Sequence, residues 1–289
     1  MLEPSSHVIA FYNRHPISRD QILASVRERR GSIDALQPDD LYPHDQDHYG
    51  GLEAVDALAE RIGVRPGLHV VDLCAGLGGP ARYLAAHYGA DVVCVELNAR
   101  RAAGARELTD RVGLAGQVHV VRGDAQRIPL KSDCVGAVIS QEALLHVSDK
   151  AAAIEEAHRI LVPGGLLAFT DWALPAPLAQ ADLEVMWRGI AAQTVQTYES
   201  YRALVVGAGF QVRSEEDLTA QWGVILADRF RMYTALRDVA HRAGNPQGDD
   251  AFYSAYARFV ALVQTRQLGG VRIVAQKKLS WREKSGSKK

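Results

Sequence analysis

One stretch constrains this chain more than any other: an apolar strand pattern that breaks into glycines and resumes as a helix. Leu68-His-Val-Val-Asp-Leu-Cys-Ala-Gly-Leu-Gly-Gly-Pro80 passes through Asp72, Gly76, Gly78 and Gly79, then leads into Ala81-Arg-Tyr-Leu-Ala-Ala-His-Tyr88. Glycines let the backbone approach a ligand, and the first N–H groups of the helix are free to meet it. Strand, glycine turn and helix read as the opening of a nucleotide-binding α/β unit. Taken alone, the turn also suits a buried strand that turns through glycines for packing.

Two further strand ends support the ligand reading. Asp91-Val-Val-Cys-Val-Glu-Leu97 is apolar and ends in Glu96, about twenty residues after the glycines, a spacing at which an acid can accept both hydroxyls of a ribose. Asp124 closes the next strand, in Val120-Val-Arg-Gly-Asp-Ala-Gln126, where it can take an adenine amino group. Polar groups at the carboxyl ends of successive strands are what an open parallel sheet presents to a ligand.

From Leu68 to Trp172 strands near 68–73, 91–96, 118–122, 135–140 and 166–171 alternate with helical segments. Short connections of this kind require parallel pairing with right-handed crossovers. A helix is expected over Met186 to Val206, a sixth strand at 210–215 and a seventh at 271–276. The fold class is therefore α/β: a Rossmann-like, mostly parallel seven-stranded sheet with helices on both faces. Residues 51–221 form the core and 269–280 its final strand. Between them, 222–268 is a mostly helical insert broken at Gly244-Asn-Pro246, too long for a structureless loop and read as a cap over the ligand edge. The alternative for that insert is a dimerisation surface, so a homodimer is one possible state. Residues 1–50 make an N-terminal helical lid segment, with a helix over Pro16 to Arg30 and a turn-rich passage from Gln37 to His48, and the core opens on an amphipathic helix from Leu52 to Ile62. The basic tail 281–289 reads as a frayed terminus.

Of the 289 residues, 47% are hydrophobic and 23% charged, enough to bury a full core, and the formal net charge of -1 creates no field for nucleic acid or anionic lipid. No run of eighteen apolar residues and no charged-then-apolar leader is present, so neither a membrane span nor a signal peptide is expected. Cys74, Cys94 and Cys134 lie in or beside apolar strands and read as buried free thiols in a reducing compartment. Cytoplasm follows, and no metal site is expected.

In the order and spacing of these motifs, over roughly residues 50–215, the chain resembles the class I S-adenosylmethionine-dependent methyltransferases. Val71-Asp-Leu-Cys-Ala-Gly-Leu-Gly-Gly79 looks like their first motif, Glu96 their ribose-binding acid and Asp124 their adenine-side acid. Ile128-Pro-Leu130, the strand ending in Gln141-Glu-Ala-Leu-Leu-His146, and Leu161-Val-Pro-Gly-Gly165 match in turn. The resemblance implies S-adenosyl-L-methionine as cofactor, held by Asp72, Gly76, Gly78, Glu96, Leu97, Asp124, Ala125 and Gln141. More narrowly, His48-Tyr-Gly-Gly-Leu52, Gln141 to His146 and Gly269-Gly-Val-Arg-Ile273 look like small-molecule N-methyltransferases acting on sarcosine and dimethylglycine. That likeness implies an amine acceptor and places Tyr42, His48 and Tyr49 in a lid or at the substrate. The alternatives are an O-, S- or C-methyltransferase of natural-product metabolism, or an NAD-dependent oxidoreductase, since Gly76-x-Gly78-x-x-Ala81 also fits the dinucleotide fingerprint.

Methyl transfer needs the donor carbon and an acceptor lone pair in line at about 3 Å, with the acceptor unprotonated. His146, just past the fourth strand, is the candidate catalytic base, since an ordinary imidazole titrates near neutral pH. It can equally pack beside the acceptor without moving a proton. Tyr42, His44, His48 and Tyr49 suit stacking at the rim or attraction of a cation. An amino-acid acceptor would need an arginine for its carboxylate. Arg188, Arg202, Arg229 and Arg231 lie in or near the cap, and no single one stands out.

Overall fold

A computed structural model describes residues 4–15, 17–242 and 250–279. Its elements run α1 (Pro4–Tyr12), α2 (Arg19–Arg30), α3 (Pro38–Asp45), α4 (Gly51–Ile62), β1 (His69–Leu73), α5 (Gly79–Tyr88), β2 (Asp91–Glu96), α6 (Ala99–Arg111), β3 (Val118–Arg122) and β4 (Val135–Gln141). A 3-10 turn at Leu144–His146 leads to α7 (Lys150–Ile160), β5 (Leu161–Leu174), α8 (Gln180–Ile190), β6 (Gln196–Thr197), α9 (Tyr198–Gly207), β7 (Phe210–Asp217), α10 (Thr219–Arg242), α11 (Asp250–Gln264) and β8 (Gly269–Lys277).

Seven strands lie in the order β3-β2-β1-β4-β5-β8-β7, and the two-residue β6 pairs with β5 off that path. The first five are parallel, while β8 runs antiparallel to both β5 and β7. Alternation along each strand feeds two separate cores. Val70, Val92 and Ile139 pack with Leu58, Leu84 and Leu108 of α4 to α6, while Val71, Val95 and Phe169 pack with Ile154 of α7 and Tyr201 of α9. Both faces are covered, which is why these strands read as continuous apolar runs. The order reverses between β1 and β4, and an open α/β sheet binds its ligand at the carboxyl ends beside such a reversal.

A third cluster stands over that edge. Trp172 at the end of β5 packs with Trp222 of α10 and Phe259 of α11. Gly270 permits this, because a Cβ there would lie 2.4 Å from the Trp222 ring. The Gly269-Gly pair noted in the sequence is therefore a seat for the cap helix. The cap itself is two helices, α10 and α11, and the break at Gly244-Asn-Pro246 and the tail 281–289 lie outside the described residues.

Several local expectations need correction. The passage from Gln37 to His48 is not all turn: Pro38 starts α3 with its φ already set, and Asp40 accepts from the Gln37 backbone N–H at 2.8 Å. The helix expected over Pro16 to Arg30 starts at Arg19, after the Ser18 cap. The single helix expected over Met186 to Val206 is two, α8 and α9. Ala191 takes a left-handed φ of 53°, and Thr197 caps the second helix by accepting from Ser200 N–H. Cys134 is exposed, at the sheet's amino edge, whereas Cys94 is buried and Cys74 lines the cavity described next.

Candidate active site

The main cavity lies at the carboxyl ends of β1, β2 and β4, roofed by α1, the 45–49 segment and the two cap helices. Its floor holds most of the residues expected to meet the donor: Asp72, Gly76, Glu96, Leu97, Asp124, Ala125 and Gln141. Gly78 is not on the wall. It caps α5 with a φ of 75°, and Gly79 beside it carries the tight contact, since a Cβ there would lie 2.2 Å from the Asp45 carbonyl oxygen. The glycine turn thus admits the end of α3 as well as any ligand.

Glu96 is held rigidly. Its Oε2 accepts from Gly76 N–H at 2.8 Å and its Oε1 from Asn98 N–H at 2.7 Å. Burial raises its pKa against those bonds. Asp72 is buried with Oδ2 unpaired, and desolvation, aided by nearby Glu96, pushes its carboxyl up to about 8. Asp124 accepts from both the backbone and the side-chain N–H of Gln126.

On the far side, His146 is placed by two contacts that no local pattern announced. Its Nδ1 donates to the Ala191 carbonyl at 3.0 Å, available because the helix breaks there, and its Nε2 accepts from the Tyr12 hydroxyl at 2.8 Å. Burial, then the nearby Lys150, hold the imidazole down to about 4 despite the bond to Ala191. An ordinary histidine titrating near neutrality is therefore not what this site contains. The turn carrying His146 is pinned from below by Lys150, which donates to the carbonyls of Leu144 and Thr194 and lies 3.6 Å from the buried Asp171.

Of the lid residues, His48 and Tyr49 line the cavity and Tyr42 does not. Tyr42 packs edge-on against Tyr83 of α5, on the core side of α3. Tyr49 lies against Trp172 and Trp222, and its backbone N–H donates to Glu142 Oε2 at 2.6 Å. Glu142 sits at a φ of 45°, a region non-glycine residues enter at a cost, and burial pushes its carboxyl up to about 8. Arg229 of α10 donates to the His48 carbonyl at 2.8 Å and lies over the Tyr49 ring at 4.7 Å. Arg188, Arg202 and Arg231 pair at the surface with Glu184, Glu215 and Asp228. Arg101 of α6 pairs with Asp47 at 2.8 Å and covers Tyr12. Tyr12, Asp47, Arg101 and Glu142 were not singled out from the sequence, because nothing in their spacing marks them. Tyr233, Tyr256 and Phe259 of the cap complete an aromatic wall with Tyr49 and Trp172.

Residues 71–169 match the family model described as a methyltransferase domain. That span includes the glycine turn, Glu96, Asp124 and Gln141, so the likeness falls on the strand ends that line the cavity. Over 165 residues the chain is 30% identical to glycine/sarcosine/dimethylglycine N-methyltransferase of Actinopolyspora halophila, covering 57% of this chain and 29% of the relative. It is also 30% identical to sterol 24-C-methyltransferase ERG6B of Gibberella zeae, over 56% of this chain and 44% of that one. The chain thus spans less than half the length of these two relatives. Among solved structures, phosphoethanolamine N-methyltransferase 2 of Haemonchus contortus, in complex with phosphomonomethylethanolamine and S-adenosylhomocysteine, superposes with a TM-score of 0.74. The identity is 19%, over 94% of this chain and 60% of that chain, a likeness of fold. No helix among the described residues is long and apolar enough to cross a membrane.

Proposed function

We propose that the protein transfers a methyl group from S-adenosyl-L-methionine to the nitrogen of a small amine of the sarcosine or dimethylglycine kind. The observation that carries this reading is one cavity with two unlike halves. One is an acidic floor of Asp72, Glu96 and Asp124 around a glycine turn, fit for the hydroxyls and amino groups of the nucleoside. The other is a wall of aromatic rings, fit for a methylated ammonium. Resemblance to N-methyltransferases supports the acceptor. Arg101 is paired with Asp47, whereas Arg229 bonds the Asp47 and His48 backbone carbonyls and keeps its charge beside the aromatic wall, where it can meet the acceptor's carboxylate. Isotope-labelled methyl transfer to sarcosine, dimethylglycine and a panel of phenols tests it. Turnover of phenols with none of the amines would overturn the acceptor. Calorimetry showing binding of NAD but not of S-adenosylhomocysteine would overturn the donor.

In this reading His146 positions Tyr12. An imidazole that takes a proton only near pH 4 is too weak a base to strip an ammonium. Its lone pair instead takes the Tyr12 proton in a hydrogen bond, leaving a phenol oxygen free to accept from the one N–H of a neutral secondary amine such as sarcosine. The amine enters deprotonated and is held in line. His146→Ala is expected to lower kcat by less than about tenfold, the scale of one positioning hydrogen bond. Because His146 stays neutral above its lowered pKa, the wild-type kcat should show no acidic limb from this group between pH 5.5 and 8. A second reading, an oxygen or carbon acceptor, takes its support from the same Tyr12–His146 contact and from the sterol relative. It predicts a loss of about 10²–10⁴-fold in the same variant, as for a true base.

A further inference from the structure

Five side chains, from Arg82 in the core to Gln141 on the cavity wall, form a single line. Arg82 Nη2 donates to Asp45 Oδ2 at 2.8 Å, and Gln46 Nε2 donates to Asp45 Oδ1 at 2.6 Å. Gln46 Oε1 lies 2.8 Å from His48 Nε2, and His48 Nδ1 lies 3.2 Å from Gln141 Nε2. The line has only one consistent direction. A carboxylate paired with arginine can only accept, so the Gln46 amide must present its nitrogen to Asp45 and its oxygen to His48. That oxygen requires a proton on His48 Nε2. The neutral ring, which burial keeps uncharged, then has a lone pair on Nδ1, and the Gln141 amide must donate to it. Gln141 Oε1 is what remains: a buried carbonyl oxygen, on a residue of the cavity wall, with no partner among the described residues.

One contact competes. His48 Nδ1 also lies 3.4 Å from the Tyr49 carbonyl, and a proton on Nδ1 would serve that bond. It would also turn Gln46 Oε1 onto Asp45 Oδ1, two acceptors at 2.6 Å, and would turn Gln141 over as well. A long, weak bond does not outweigh that repulsion.

Gln141 ends β4, on the cavity wall between the glycine turn after β1 and the aromatic half of the cavity. We propose that Asp45, Gln46 and His48 are positioning residues that hold the Gln141 carbonyl oxygen toward the cationic, methyl-bearing centre of the bound donor. The proposal rests on the methyltransferase reading. An oxygen there attracts a sulfonium or an ammonium and has nothing to offer a neutral thioether, so the chain favours the charged donor over its spent product. Gln46 is off the cavity wall, bonded to Asp45 on one side and His48 on the other, and its route to Gln141 runs through His48.

Two measurements test this. Long-range ¹⁵N–¹H NMR of the wild-type protein at pH 7 should show His48 neutral with its proton on Nε2, and a proton on Nδ1 would overturn the chain. Calorimetry should then compare sinefungin, whose ammonium stands where the sulfonium methyl would be, with S-adenosylhomocysteine. Gln46→Leu is expected to weaken sinefungin about tenfold, the scale of one hydrogen bond to a charged group, while S-adenosylhomocysteine changes less than about threefold. Equal weakening of both ligands would mean a merely structural role for Gln46 and would overturn the proposal. Binding of neither ligand to the wild type would instead overturn the methyltransferase reading, and the donor half of the proposal with it. The tautomer result stands apart from both, and does not require the variant to fold.

Discussion

Asp45→Ala is expected to lower the free energy of unfolding by about 3–5 kcal/mol, the scale of breaking a buried ion pair by removing one partner. Both side chains of the Arg82–Asp45 pair are 0% exposed. Arg82 would keep its bond to the Leu77 carbonyl at 2.7 Å, but its charge would be buried with no counterion. The Asp45 carbonyl oxygen seated on Gly79 belongs to the backbone and is kept in the variant, so the loss comes from the ion pair. Urea denaturation of the two proteins reads the effect directly. Asp45→Ala together with Arg82→Met should recover much of the loss, since an apolar side chain of similar volume fills the space without a charge. A single variant as stable as wild type would show that this pair does not anchor the lid.

Glu96→Ala is expected to weaken S-adenosylhomocysteine by about 1–3 kcal/mol, or roughly 5- to 150-fold in Kd, from ribose hydroxyls left without an acceptor. The glycine turn should also lose order, because the carboxylate holds the N–H groups of Gly76 and Asn98. Glu96→Gln separates the two contributions. An amide oxygen can still accept from one N–H, but its NH₂ group faces the other as a second donor, so its binding should fall between wild type and Ala. Calorimetry with unchanged affinity in both variants would remove Glu96 from the donor site.

The glycine turn, the acids closing β2 and β3, and the β4 end with Gln141 could all be read in the chain, because each depends on local rules. A strand alternates, a tight turn needs glycine, and a parallel strand delivers its last residues to one edge of the sheet. The two cap helices were legible for a similar reason, since 50 residues between strands must pack somewhere. The helix at Pro38–Asp45 was hidden by its own prolines and acids, which read as turn until Pro38 is seen at the first helical position. The break at Ala191 was hidden by a helical pattern that runs through it, and it depends on a left-handed residue that composition does not mark.

Tertiary structure decided how the groups at that edge behave. Tyr12 meets His146 across 134 positions, and Arg82 meets Asp45 across 37, distances over which sequence carries no periodic signal. Tyr42 and Tyr49 stand seven positions apart in the same segment, yet one packs on the core and the other lines the cavity, because α3 turns between them. His146 looked like a base of ordinary strength until burial and Ala191 set its charge and its tautomer. Which residues reach the carboxyl edge of the sheet follows from strand period and turn chemistry, and these act within a few residues. Which of them are charged, which way their hydrogen bonds point and which are covered follow from desolvation and from partners on distant elements, and these exist only once the chain has folded.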